Sequence, residues 1–153
     1  MFKFRKKSKQ FNTGKVIIPV GYPNPPAPHE EDVAKILAHH YETTVEFIMP
    51  IDDYKRKTAD IMMNGVAWEI KSPKGNSKST IGTQFSRASK QANNIVLDTR
   101  HTKLKYERVE TSVKLEMKKR HTIKKVTIHG KPNIELATAC RPAPMRTILI
   151  HKT

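Results

Sequence analysis

The segment Ala59-Asp60-Ile61-Met62-Met63-Asn64-Gly65-Val66-Ala67-Trp68-Glu69-Ile70-Lys71 constrains the fold more than any other part of the chain. Asn-Gly is the dipeptide that best accepts the positive φ angles of a type I′ turn, and here it joins two runs of strand-forming residues. A tight antiparallel hairpin is expected. Side chains alternate along a strand, so Glu69 and Lys71 share one face while Ile70 continues the apolar content on the other. Asp60 opens the first strand, and the hairpin brings it towards Glu69 and Lys71 rather than leaving it merely close in sequence.

The elements around this hairpin follow from periodicity. Val33, Ala34, Ile36, Leu37 and Tyr41 recur at helical spacing behind the acidic first turn Glu30-Glu31-Asp32, which predicts a helix to about Tyr41. Thr43 to Met49 reads as a strand stopped by Pro50. After the hairpin, a loop of Lys, Gly, Ser and Asn from Ser72 to Lys78 leads into a helix marked by Ile81, Phe85, Ala88 and Ala92, which Asn93-Asn94 can end. Ile95-Val96-Leu97 is a buried strand closed by Asp98. Leu104 to His121 forms an amphipathic helix with Leu104, Val109, Val113, Leu115 and Met117 among its charges. Val126-Thr127-Ile128 and Ile134-Glu135-Leu136-Ala137 are expected to make a final hairpin, and Thr147 to Ile150 can add an edge strand. The order is an α/β arrangement with a mixed sheet.

Ahead of this unit, residues 1–28 read as a basic arm and a linker, with the folded domain spanning 29–153. Every charged residue in the first fifteen is basic, and four prolines between Tyr22 and Pro28 forbid a helix or a central strand, although Val16 to Val20 can form a short edge strand. No run of about 18 apolar residues is present to cross a membrane, and the first residues lack a signal peptide's apolar segment, so the expected site of action is the cytoplasm. The single cysteine, Cys140, supports neither an internal disulfide nor a multi-thiolate zinc site.

Charge narrows the partners. With 29 Lys and Arg against 14 Asp and Glu the chain carries net +15, which attracts phosphate polymers, anionic membranes or acidic proteins, nucleic acid being the commonest. Lys103, Lys105, Arg108, Lys114, Lys118, Lys119 and Arg120 run along the long helix, with Lys124 and Lys125 beyond it. Together with the arm they are expected to form a salt-sensitive track for a phosphate backbone, against the alternative of an ordinary solvated helix.

Against that cationic background Asp60 and Glu69 stand out. Two converging carboxylates suit a hard divalent cation such as Mg²⁺, which takes oxygen ligands and bridges to phosphate. Lys71 beside them is suited to orient a water and offset charge developing on phosphoryl oxygens. The alternative for a Glu-x-Lys pair on a strand is a solvated ion pair. Ser72, Lys74, Lys78 and Thr80, in the loop that enters the next helix, supply hydroxyl, ammonium and backbone donors for a phosphate. Thr80 can equally cap that helix. Gln84 and Gln91 lie seven residues apart, about two turns, with Arg87 between them on roughly the same face, so all three can project towards a substrate, against the alternative of ordinary helix surface. His39 and His40 are adjacent and point apart, while Trp68 alternates with Glu69 and is expected in the core.

The succession of helix, three strands, helix and strand, with Asp60 and Glu69-x-Lys71 on the second and third strands, resembles the restriction-endonuclease-like αβββαβ core of the PD-(D/E)XK nuclease superfamily. A further helix and a carboxy-terminal β-hairpin would follow that core. More narrowly, Ala59 to Pro73, Ile81 to Gln91 and Asn94-Ile95-Val96-Leu97-Asp98 are similar to segments of the carboxy-terminal tRNase toxins of contact-dependent growth inhibition CdiA proteins. The resemblance covers roughly His29 to Ala137. It implies Asp60 and Glu69 as metal or active-site carboxylates, Lys71 as the catalytic lysine and Glu30 as the first-helix glutamate. Ala59 replaces the proline usual before the aspartate, and His39-His40-Tyr41 stands where a glycine usually follows the first helix.

The expectation is a phosphodiester hydrolase, an endonuclease for which the resemblance implies tRNA as substrate, a divalent cation as cofactor and an acidic immunity protein as partner. Two alternatives stay open: a metal-dependent DNA endonuclease of a phage or mobile element, and a nucleic-acid-binding protein without catalysis.

Overall fold

The computed structural model describes residues 14–51, 57–130 and 146–151. The elements are β1 (Lys15–Ile17), α1 (Pro28–His40), β2 (Thr44–Phe47), β3 (Ile61–Met63), β4 (Val66–Lys71), α2 (Thr80–Ala88), β5 (Asn94–Asp98), α3 (Tyr106–Lys119), β6 (Lys125–Gly130) and β7 (Arg146–His151). Among the described residues the strands form one mixed sheet of seven in the order β1-β2-β3-β4-β5-β6-β7. The pairs β1–β2, β4–β5 and β5–β6 are parallel, and the others antiparallel. Each parallel step is spanned by a helix, as a crossover between parallel strands requires. The expected αβββαβ order is thus present from α1 to β5, with α3 and an antiparallel strand pair after it.

Alternation along the strands sorts the core into two layers. Trp68, Ile70 and Val96 join Val33, Ala34 and Leu37 of α1, together with Val45, Phe47 and Ile61, on one face. Ile95, Leu97, Val126 and Ile128 meet Ile81 and Phe85 of α2 and Val109 and Val113 of α3 on the other. Asn64 and Gly65 have φ of 53° and 71°, the left-handed pair that a type I′ turn needs. Thr43 Oγ1 donates to Asn64 Oδ1 at 2.7 Å and ties that turn to the start of β2.

At the edge of the sheet, β1 runs against α1 so closely that a Cβ on Gly14 would sit 1.8 Å from the Ala38 carbonyl oxygen. Glycine is required there because backbone meets backbone. β1, the edge strand that the sequence allows ahead of the proline-rich segment, therefore belongs to the same sheet as the hairpin.

Two expectations change. α2 ends at Ala88, where Gln91 N and Ala92 N both donate to the Ala88 carbonyl, so Gln84 and Gln91 do not share a helix. On α3 the buried stripe is Val109, Val113, Glu116 and Met117, whereas Leu115 is 50% exposed. The i, i+4, i+7, i+8 spacing from Val109 puts Glu116 on the inner face, and Lys119 (3.3 Å) and Arg120 (3.1 Å) neutralise its carboxylate. The antiparallel partner of β6 is β7, which covers the edge strand expected at Thr147 to Ile150, and Ile134–Ala137 lies outside the described residues. The basic arm up to Thr13 lies outside them as well.

Phe85 is fully buried between α2 and its neighbours, whereas Met62 on β3 is 37% exposed. Phe85→Ala is expected to lower the unfolding free energy by about 3–5 kcal/mol. Met62→Ala should stay within roughly 0.5 kcal/mol of the parent. The shift of the urea midpoint at constant slope measures both.

Candidate active site

Glu69 stands mid-sheet on β4 and is 1% exposed, an unusual place for a carboxylate. The face that alternation assigns to it is the one covered by α2. Its Oε1 accepts hydrogen bonds from Lys71 Nζ, two residues along the same strand, and from Gln91 Nε2, in the turn after α2. Oε2 is buried with no partner. A carboxylate held on one oxygen and bare on the other has a coordination position to offer.

Asp60 sits just before β3, where the ladder with β4 gives out. Its own N–H donates to the Trp68 carbonyl at 3.1 Å, and its Oδ2 accepts the Ile70 N–H at 2.7 Å. The side chain thereby replaces the missing backbone acceptor and is fixed beside β4. Burial first, and then the Glu69 charge, push the Asp60 carboxyl up to about 7, with Glu30 adding to the rise. The Ile70 N–H and the Lys71 ammonium oppose the rise without cancelling it. Asp60, Glu69 and Lys71 are therefore electrostatic neighbours, as the hairpin predicts.

Glu30 lies at the edge of this group. Its Oε2 accepts the Ala27 N–H at 3.0 Å, closing the amino terminus of α1, while its charge acts on Asp60 and on Tyr22. Tyr22 joins the group without a signal in the sequence. It stands alone among prolines, so no periodicity signals it, yet its ring packs edge-on to Phe47 at 6.2 Å. Burial, Asp60 and Glu30, in that order, hold its phenol above the ordinary range.

The post-hairpin loop divides. Ser72 alternates away from Lys71, and its Oγ reaches Asp98 Oδ2 at 3.3 Å. It belongs to a different network, in which Arg100 grips Asp98 through Nε (2.8 Å) and Nη2 (2.9 Å). Lys74 and Lys78 are exposed. Thr80 Oγ1 accepts the Ser77 N–H at 3.2 Å, fastening the loop, and no side chain caps α2. Gln84 is half-buried and Arg87 exposed, and neither bonds to Asp60, Glu69 or Lys71. Of the substrate-binding candidates only Gln91 meets the carboxylates, and it does so because α2 stops early.

Two carboxylates that face each other at the cost of a raised pKa, one with an unpartnered oxygen, have the donor set for a hard cation shared with water and phosphate oxygens. Among the described residues no cluster of three or more His, Cys, Asp or Glu side chains has the geometry to hold a metal ion by itself.

The sequence profile of the contact-dependent growth inhibition CdiA C-terminal domain matches residues 57–134. The fold is similar to a chain of the CdiA-CT/CdiI toxin and immunity complex from Burkholderia pseudomallei, with 15% identity and a TM-score of 0.51, over 91% of this chain and 100% of that one. At that identity the likeness speaks for the fold alone. No curated protein matches.

Because folding raises the Asp60 pKa from 3.8 to about 7, the folded chain binds this proton more tightly than the unfolded one. Its contribution to stability is fullest below the unfolded value and is lost as pH rises towards 7. Asp60→Asn keeps an acceptor for the Ile70 N–H while removing the charge. At pH 8 it should unfold at a higher temperature than the parent, by the equivalent of about 1 kcal/mol or more, since one pKa unit is roughly 1.4 kcal/mol. The gap should close towards pH 4, and a melting series across that range reads it.

Proposed function

This chain belongs to the contact-dependent growth inhibition CdiA C-terminal domain family, and from that premise we propose that it is a toxic endonuclease hydrolysing phosphodiester bonds. The observation that carries the reading is the buried, half-satisfied Glu69 carboxylate beside Asp60 and Lys71. The resemblance to PD-(D/E)XK nucleases implies the roles: Asp60 and Glu69 as carboxylate ligands, Lys71 as the catalytic lysine and Glu30 as the first-helix acid.

A divalent cation at Asp60 and Glu69 would supply Lewis-acid stabilisation and a more acidic water. The protein's own part is orientation and charge. Gln91 and Lys71 both hold Glu69 Oε1, which keeps Oε2 turned from them. The Lys71 ammonium has further N–H donors for the attacking water or a phosphoryl oxygen, where a preformed positive group lowers the barrier most. As water adds to phosphorus, the bond to the leaving sugar oxygen breaks, and the water's proton passes to an acceptor at the site.

Charge supports a polyanionic substrate, and the resemblance to the tRNase toxins supports tRNA and an immunity partner. Net +15 favours a polyanion, and exposed Lys103, Arg108, Lys118 and Lys124 extend the cationic surface along and beyond α3. We favour tRNA over DNA, with action in the cytoplasm and neutralisation by an acidic immunity protein. A second reading is supported by the Asp60 pKa near 7: the carboxyl is poised for metal-independent general acid–base work.

Purified protein incubated with total tRNA and with plasmid, in Mg²⁺ or EDTA, tests these readings together. Cleavage of tRNA in Mg²⁺ is expected, falling about 100-fold or more in Glu69→Gln and Lys71→Ala. Retention in EDTA selects the acid–base reading, and preference for plasmid selects DNA. Cleavage indifferent to both substitutions overturns the site.

A further inference from the structure

Beside the carboxylates lies a cleft of 380 Å³ that shares Asp60 and Gln91 with them. Its other walls include Tyr22, Ile48, Pro50 and Ile51, with Lys57 at the same cleft. Among the described residues the cleft sets aromatic and apolar side chains beside the polar Lys57 and Thr58, next to a carboxylate site. Ile51 is 62% exposed and the nearby Met49 43% exposed, so large apolar side chains stand in water here. Elsewhere those side chains would cost solubility and gain nothing.

We propose that this cleft holds an unpaired nucleobase of the strand whose phosphate lies at Asp60 and Glu69, stacked against Tyr22 and the Ile51 side chain, with Lys57 on a flanking phosphate. The inference rests on the nuclease reading and narrows it to a substrate cut at an unpaired nucleotide. Three features carry it. The volume falls within the roughly 300–1,000 Å³ of small-ligand pockets, enough for one base and its sugar. The lining combines Tyr22, Ile48, Pro50 and Ile51, which a base can pack against, with Lys57, Thr58, Asp60 and Gln91, which suit a sugar-phosphate. A paired base is stacked inside a helix and cannot enter a lateral hollow without being extruded, whereas bases in loops, bulges and ends are free to do so.

Tyr22 is suited to this because its ring is already placed. It packs on Phe47 and the first core layer, and the turn before it is closed by its own N–H on the Pro19 carbonyl at 3.2 Å. The proline-rich segment thus delivers an aromatic platform to the active site. Sequence identity of the base is left open by these walls, since stacking accepts any base.

The test measures binding without turnover, in a Glu69→Gln background, by fluorescence anisotropy. The probes are a labelled single-stranded hexanucleotide as RNA and as DNA, the same strands with one abasic position, and a duplex of equal length. Adding Tyr22→Ala should weaken binding of an intact single strand about 10-fold, within the roughly 5- to 150-fold that base–aromatic stacking is worth. Tyr22→Phe should bind within about twofold of the parent, the ring being kept. Ile51→Ser, at a position too exposed to disturb the core, should show a smaller loss of the same kind, and it keeps the test valid if Tyr22→Ala melts early. Loss with either sugar supports the pocket, and the sugar that shows it names the polymer. The pocket is overturned if neither Tyr22→Ala nor Ile51→Ser weakens binding, or if abasic strands or duplex bind as tightly as the intact strand. Lys71-dependent cleavage without Tyr22-dependent binding would keep the nuclease and sink the pocket, and the reverse result would do the opposite.

Discussion

The interaction on which the site depends is the burial of the Glu69 carboxylate in the middle of a seven-stranded sheet. An isolated charge there would cost several kcal/mol, so the sequence must provide for it within reach. It does so through one strand neighbour, Lys71, and one amide, Gln91, delivered by the early stop of α2. Both serve the same oxygen. The remaining oxygen and the nearby Asp60 are left in an environment that penalises their charge, and the Asp60 carboxyl records that penalty in its raised pKa. Packing on both faces holds the arrangement against relaxation, because Ile70 and Trp68 are locked into one layer while Ile95 and Leu97 lock the neighbouring strand into the other.

Much of this was legible because its causes are local. Asn64-Gly65 dictates a turn, the turn sets the pairing, and period two then decides which side chains share a face. The αβββαβ order and the meeting of Asp60, Glu69 and Lys71 follow from those steps. What was not legible depends on where an element ends or what lies across space. Nothing in Gln84 to Gln91 announces that α2 stops at Ala88, so the spacing places Gln91 on a helix face that it does not share. Ser72 follows Lys71 directly and reads as part of the same loop, yet continued alternation turns it to Asp98 on the other side of the sheet. Tyr22 acts through a tertiary contact that leaves no periodic trace. The choice of β7 as partner for β6 is decided by pairing between residues far apart in sequence.

Comparison of the sheet's two acidic networks shows why only one of them is a candidate for chemistry. Asp98 is more deeply buried than Asp60, but Arg100 grips both of its oxygens, the Arg100 N–H adds a bond at 3.2 Å to Oδ1, and Ser72 approaches the other oxygen. Burial alone would raise its pKa, yet these bonds hold it below the ordinary range. Its charge is answered by Arg100, and burial chiefly lowers the pKa of His129 nearby. A satisfied ion pair of that kind fixes the ends of β5 and β6 and has no capacity left for a ligand. Around Asp60 and Glu69 the balance runs the other way: the Glu69 and Glu30 charges raise the Asp60 pKa more than Lys71 lowers it, and an oxygen goes without a partner. An incoming positive charge is what would relieve that set, and a phosphodiester with its counter-cation brings one. The excess of lysine and arginine elsewhere on the chain then has a complementary role. On the proposed nuclease reading it would gather the polyanion at long range, and the small unsatisfied acidic cluster would set where along it the bond is broken.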